Sequence, residues 1–136
     1  MNRAAEIQER FKRIFPDLLG IQLTEVTSER VLGELTVRSD LCTIGGVLHG
    51  GAMMAFADTL GAVATVANLP AGARTTTIES KTNFTGAATK GSRVLGESTP
   101  LHRGKSTMVW QTRIVSDTGK LLALVIQTQM VLPPPD

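Results

Sequence analysis

The sequence predicts an α+β domain in which a curved antiparallel sheet wraps around one central apolar helix, with an amphipathic helix ahead of it. Three observations predict this. The stretch from Gly50 to Ala67 is apolar and rich in Ala, Gly and Thr, and Asp58 is the only acidic or basic residue between His49 and Arg74. Two strand-like segments precede that stretch and four follow it, most joined by short turns, which favours antiparallel pairing. A helix made of small apolar residues has to be covered on nearly all sides, and a sheet curled around it does so.

Each element has its own signal. Ile7, Phe11, Ile14, Phe15 and Leu18 recur at three- and four-residue steps, so residues 1–18 read as an amphipathic helix that Pro16 ends or bends. Residues 21–27 and 30–38 read as strands; in the second, Val31, Gly33, Leu35 and Val37 alternate with Leu32, Glu34 and Thr36. Residues 39–48 are irregular. The apolar helix spans about 50–67, and Asn68, Pro70 and Gly72 stop it. Residues 75–85, 92–102, 106–116 and 120–131 then read as strands, with a hairpin turn at Asp117-Thr118-Gly119-Lys120. Leu122, Leu124, Ile126, Met130 and Leu132 share one face of the last strand, the face expected to meet the helix. Pro133, Pro134 and Pro135 begin a tail at 133–136.

Composition sets limits. A chain of 136 residues, 42% hydrophobic and 19% charged, suits one globular domain over 1–136. A net charge of +2, with no basic run interleaved with aromatics, argues against nucleic acid. Cys42 stands alone, and two histidines and one Cys at scattered spacing make no metal-ligand pattern. The first fifteen residues hold six charged side chains and no apolar core of a signal peptide, and Asp58 interrupts the one stretch long enough to suggest a membrane span. No membrane association is expected, and a cytoplasmic location is.

The chemistry concentrates where the apolar helix begins. Gly50 and Gly51 permit close backbone approach and leave N–H groups uncovered, at the end where the helix dipole is positive. Such a donor stabilises the oxyanion formed in acyl transfer, one good donor contributing roughly 3–4 kcal/mol. The same glycines also suit a plain loop-to-helix turn. Asp58, among Met54, Ala55, Phe56, Leu60, Ala62 and Val63, is costly to bury unless it faces a polar site. Its role there would be nucleophile toward a thioester or general base for water. Gly50 and Asp58 are separated by about 12 Å along one helix. A nucleophile and an oxyanion donor must both reach one reacting group. Two antiparallel copies of the helix about a two-fold axis would meet that requirement, so a homodimer with composite sites is expected.

The stretch Gly46-Val47-Leu48-His49-Gly50-Gly51, then six residues and Asp58, resembles the signature of the hotdog thioesterase superfamily. It looks most like the PaaI-like branch of phenylacetate degradation, related to the 4-hydroxybenzoyl-coenzyme A thioesterases, and the likeness runs from about Gly20 to Leu132. The resemblance implies a hotdog fold, dimers often paired into tetramers, and hydrolysis of acyl-coenzyme A without metal or other cofactor. It implies that the Gly50 amide polarises the thioester carbonyl, that His49 helps shape the loop, and that Asp58 activates or performs the attack. Many relatives carry Asn or Gln where this chain has Thr43, whose hydroxyl is shorter and cannot reproduce both functions of an amide.

Further positions follow. His49 is read as orienting the loop, with general base as the minor alternative. By the resemblance, Thr77 at the start of its strand helps hold the attacking water, and Arg103, Lys105 and Ser106 lie beside the coenzyme A phosphates; Gly51 is assigned to substrate binding, and Phe84 either lines the acyl pocket or is simply core. Trp110 reads as core. Two other functions compete with thioester hydrolysis: a hotdog hydratase or dehydratase, disfavoured because no His follows Asp58 in the helix, and a non-catalytic acyl-coenzyme A binding protein, disfavoured by Asp58 itself.

Overall fold

A computed structural model describes all 136 residues. Its elements are helices α1 (Ala4–Arg10) and α2 (Phe15–Leu19), strands β1 (Gln22–Val26) and β2 (Val31–Thr36), helix α3 (Gly50–Val66), and strands β3 (Arg74–Phe84), β4 (Arg93–Arg103), β5 (Thr107–Ser116) and β6 (Leu121–Leu132). A short 3-10 turn at Ser39–Leu41 opens the loop before α3. The six strands form one antiparallel sheet in the order β1-β2-β4-β5-β6-β3. Helix α3 packs against β2, β3, β4, β5 and β6 alike, so the sheet curves around it. No helix is long and apolar enough to cross a membrane.

The helix sits close because the sheet yields room for it. Gly33 of β2 and Gly96 of β4 are register partners under α3. A Cβ on Gly33 would meet Leu60 Cδ2 at 2.9 Å, and one on Gly96 would meet Leu60 Cδ1 at 2.5 Å and Phe56 Cζ at 3.0 Å. The two bare backbones make a trough into which Phe56 and Leu60, both fully buried, are pressed. Trp110 on β5 is buried too; its Nε1 donates to Thr65 Oγ1 at 2.8 Å, and that hydroxyl donates to Gly61 O at 2.9 Å, tying the C-terminal half of α3 to the sheet.

The structure corrects two expectations. Residues 1–18 are not one helix. The chain breaks after α1, Arg13 takes φ 67°, and Pro16 sits in the first turn of α2, opening a helix where it was expected to end or bend one. A proline there sacrifices only an N–H that has no helical partner. As a result Ile7 and Phe11 reach the core while Ile14, Phe15 and Leu18 stay exposed. The second correction concerns β6. Its helix-facing side carries Ala123, Val125, Gln127 and Gln129, all buried; of the residues expected there only Leu122 is buried, whereas Leu124 and Ile126 are half-buried on the outer side and Met130 is exposed. Small or β-branched side chains fit under a close helix, and two amides supply polar partners that the apolar face could not.

Gly96→Ala should lower stability by about 1–3 kcal/mol through overpacking against Leu60 and Phe56. Urea unfolding followed by tryptophan fluorescence measures it, and an unchanged midpoint would contradict the close fit.

Candidate active site

Helix α3 begins with a side-chain cap. His49 has extended backbone angles, φ −61° and ψ 135°, and its Nδ1 accepts the Gly51 N–H at 2.7 Å. The His49 carbonyl accepts the N–H groups of Ala52 at 2.9 Å and Met53 at 3.2 Å. Of the first four N–H groups of the helix, that of Gly50 alone has no partner. No acidic side chain lies in the first turn of the helix, at the positive end of its dipole. The Phe84 ring, half exposed, rests on Gly50, with its Cζ 3.1 Å from where a Cβ would stand.

Two turns along the helix, half-buried Asp58 points at the start of β3. Its Oδ1 accepts from Thr77 Oγ1 at 2.6 Å and from Gln127 Nε2 at 3.2 Å. Its Oδ2 has no hydrogen bond within the chain. A β-bulge at Ile78 makes this arrangement fit. Thr77 pairs with Gln129 and Glu79 with Thr128, so Ile78 is the extra residue. The bulge keeps both Thr77 and Ser80 turned toward the helix and leaves Glu79 exposed. A regular strand would put Thr77 and Glu79 on one face and bring a second carboxylate toward Asp58.

Asp58 also borders a groove of about 300 Å³ between α3 and the N-terminal segment, lined by Ile7, Phe11, Ile14, Ala62 and Val63. The remaining sequence-derived residues are spread out. Thr43 lies exposed in the turn before α3; its N–H donates to Val47 O at 2.8 Å, its side chain makes no hydrogen bond, and Gly45 and Gly46 follow with φ of 100° and 78°. Arg103 is engaged, donating to Ser28 O and Glu29 Oε1, each at 2.9 Å. That hydrogen bond holds the Glu29 carboxyl below its ordinary value. Lys105 is exposed and unpaired, and Ser106 offers its carbonyl to the Val131 N–H. These residues form the β4–β5 turn, and Met108, the second residue of β5 just after it, aligns with Gln129 and hence with Thr77. The turn therefore lies at the Asp58 end of the sheet and not at the Gly50 end. No three His, Cys, Asp or Glu side chains converge into a metal cluster.

Gln127 and Gln129 escaped the sequence reading. Their signal was the demand for donors around a carboxylate in an apolar helix, met by two amides at alternate positions of one strand.

A family model described as the thioesterase superfamily matches residues 45–123. The chain belongs to this superfamily. It is 36% identical over 103 residues to the 1,4-dihydroxy-2-naphthoyl-CoA hydrolase of Escherichia coli, covering 76% of this chain and 75% of that one. The crystal structure of a mutant thioesterase from Pseudomonas aeruginosa superposes with TM-score 0.91 at 27% identity, covering 96% of this chain and 94% of that one. The Escherichia coli PaaI protein from the phenylacetic acid degradation operon superposes with TM-score 0.86 at 20% identity, covering 97% and 93%. The architecture is the hotdog fold, and the chain is a thioester hydrolase.

The cap geometry separates the two roles weighed for His49. His49→Ala should cost about 1 kcal/mol in stability through loss of the helix cap, and His49→Asn should restore most of it, because Asn is a good N-cap. Turnover should follow the cap. An Asn variant that is stable yet inactive would make His49 the base instead.

Proposed function

We propose that this chain hydrolyses an acyl- or aryl-acyl-coenzyme A to the free carboxylate and coenzyme A, with composite sites in a homodimer. The observation that carries the reading is a carboxylate pinned through one oxygen, Oδ1 of Asp58, with its other oxygen free, on the same helix as one unpartnered N–H at Gly50. The Gly50 N–H donates to the thioester carbonyl oxygen as negative charge develops on it. Asp58 Oδ2 attacks the carbonyl carbon or takes a proton from the attacking water. The C–S bond breaks and coenzyme A leaves as the thiolate, which takes the proton removed from water; where Asp58 has attacked, water then hydrolyses the resulting mixed anhydride to the carboxylate and free Asp58. Thr77 steadies Asp58 and the water beside it. The groove between α3 and the N-terminal segment accepts the apolar acyl group. Lys105 is the free cation for the coenzyme A phosphates, since Arg103 is occupied by Glu29. The hydrolase activity named for the Escherichia coli relative favours an aryl-acyl group.

Strand β3 supports the dimer. It is eleven residues long and forms an edge of the sheet, with one row of backbone donors and acceptors unpaired. Asp58 meets Thr77 near one end of β3 and Gly50 meets Phe84 at the other, so α3 and β3 run in opposite directions. Two β3 edges paired antiparallel about Ser80 would lay Glu79 of each chain opposite Lys81 of the other. The same pairing would carry Gly50 of one chain toward Asp58 of its partner. Further pairing of dimers into tetramers and a cytoplasmic location complete the reading.

Asp58→Asn should abolish thiol release from a panel of acyl- and aryl-acyl-coenzyme A substrates while leaving binding largely intact, because the amide keeps the size and loses the charge. A colorimetric free-thiol assay with parallel calorimetric binding measures both. Wild-type turnover in the variant would remove Asp58 from the chemistry.

A further inference from the structure

Beneath Asp58 lie two glutamines that no substrate reaches, for Gln127 and Gln129 are both fully buried. Their neighbours on the same face of β6, Ala123 and Val125, are apolar, and folding alone calls for apolar side chains there. The Gln127 amide is pressed against α3 at Gly61, where a Cβ would come within 2.3 Å of both Cδ and Oε1. Its Oε1 has no hydrogen-bond partner. An unpartnered buried amide oxygen is destabilising, and an apolar side chain of equal length would avoid it.

What the two amides do is build one ladder that ends on a single oxygen, Gln127 touching it directly and Gln129 through Gln127 and Thr77. Gln127 Nε2 donates to Asp58 Oδ1 at 3.2 Å and to Gln129 Oε1 at 3.0 Å. Gln129 Oε1 also contacts Thr77 Oγ1, the other group on Asp58 Oδ1. Gln129 Nε2 donates to Thr75 Oγ1 at 3.0 Å, and Thr75 donates to Met130 O at 2.9 Å. The ladder is thus anchored in the backbone of β6 at one end and closes on the carboxylate at the other. The Thr77 proton lies between Asp58 and Gln129, and the charge on an ionised Asp58 draws it to the carboxylate.

We propose that Gln127 and Gln129 are positioning residues, kept in the core at the expense of stability to fix Asp58 Oδ1 and so aim Oδ2 at the thioester; this rests on the catalytic reading of Asp58. Gly61 is part of the device, because any side chain there would displace the Gln127 amide. A carboxylate on a helix surface otherwise turns about its side-chain bonds, and small misplacements of a reacting group carry large rate penalties.

The test compares Gln127→Met and Gln129→Met with wild type and with Asp58→Asn, by steady-state kinetics on acyl-coenzyme A and by thermal unfolding. Gln127→Met should unfold at the wild-type temperature or higher, lose roughly 10- to 100-fold in kcat, and hold KM within about twofold. Gln129→Met should shift in the same direction by less, since it acts through Gln127 and Thr77. A structural role alone would move stability and kcat down together. Full kcat in Gln127→Met with Asp58→Asn inactive would overturn the positioning role alone, and so would a Gln127→Met chain that fails to fold. Full turnover in Asp58→Asn would instead overturn the catalytic reading and the positioning role with it.

Discussion

A carboxylate set in the middle of an apolar helix has to be given donors by whatever covers that helix, and much of this structure follows from how Asp58 receives them. The donors come from strands, so the helix must lie close enough for strand side chains to reach its backbone. Gly33 and Gly96 lower the sheet beneath Phe56 and Leu60. Gly61 bares the helix where the Gln127 amide passes. The bulge at Ile78 turns Thr77 inward without turning Glu79 after it. Each feature is a local departure from regular packing, and each serves the same contact.

The start of α3 follows a complementary logic. His49 takes up one N–H, its carbonyl takes two more, and Gly50 is left with the one free donor at the positive end of the dipole. The free donor and the carboxylate share a helix but stand about 12 Å apart, too far for one reacting group. The unpaired edge of β3 offers the way to join them, because α3 and β3 run oppositely and a two-fold axis through that edge exchanges the two ends. On the proposed reading, fold, open edge and site become one requirement.

The order of elements was legible in the sequence because periodicity and turn chemistry are local. The alternation of Val31, Gly33, Leu35 and Val37, the Asp117–Lys120 turn and the small-residue helix all stand in the structure. The candidate site was legible where a residue type is rare in its surroundings, as with Asp58 and the paired glycines. Two things were not. The broken N-terminal helix depends on a positive φ at Arg13, which no periodicity reveals. The inward face of β6 depends on what the helix needs: both faces are largely apolar, and the choice went to the one holding Gln127 and Gln129, because a half-buried carboxylate in need of donors outweighs a few more methyl groups.

The most direct measurement mixes two inactive variants. Asp58→Asn lacks the carboxylate. Gly50→Pro lacks only the free N–H, at the first helical position, where proline is tolerated; Gly50→Ala controls for the added Cβ against Phe84. Unfolding the two together and refolding them makes about half of the dimers mixed, each with one intact site of two, so about a quarter of wild-type thiol release should return. A mixture as inactive as its components, with mixed dimers present by native mass spectrometry, would contradict a site shared between chains.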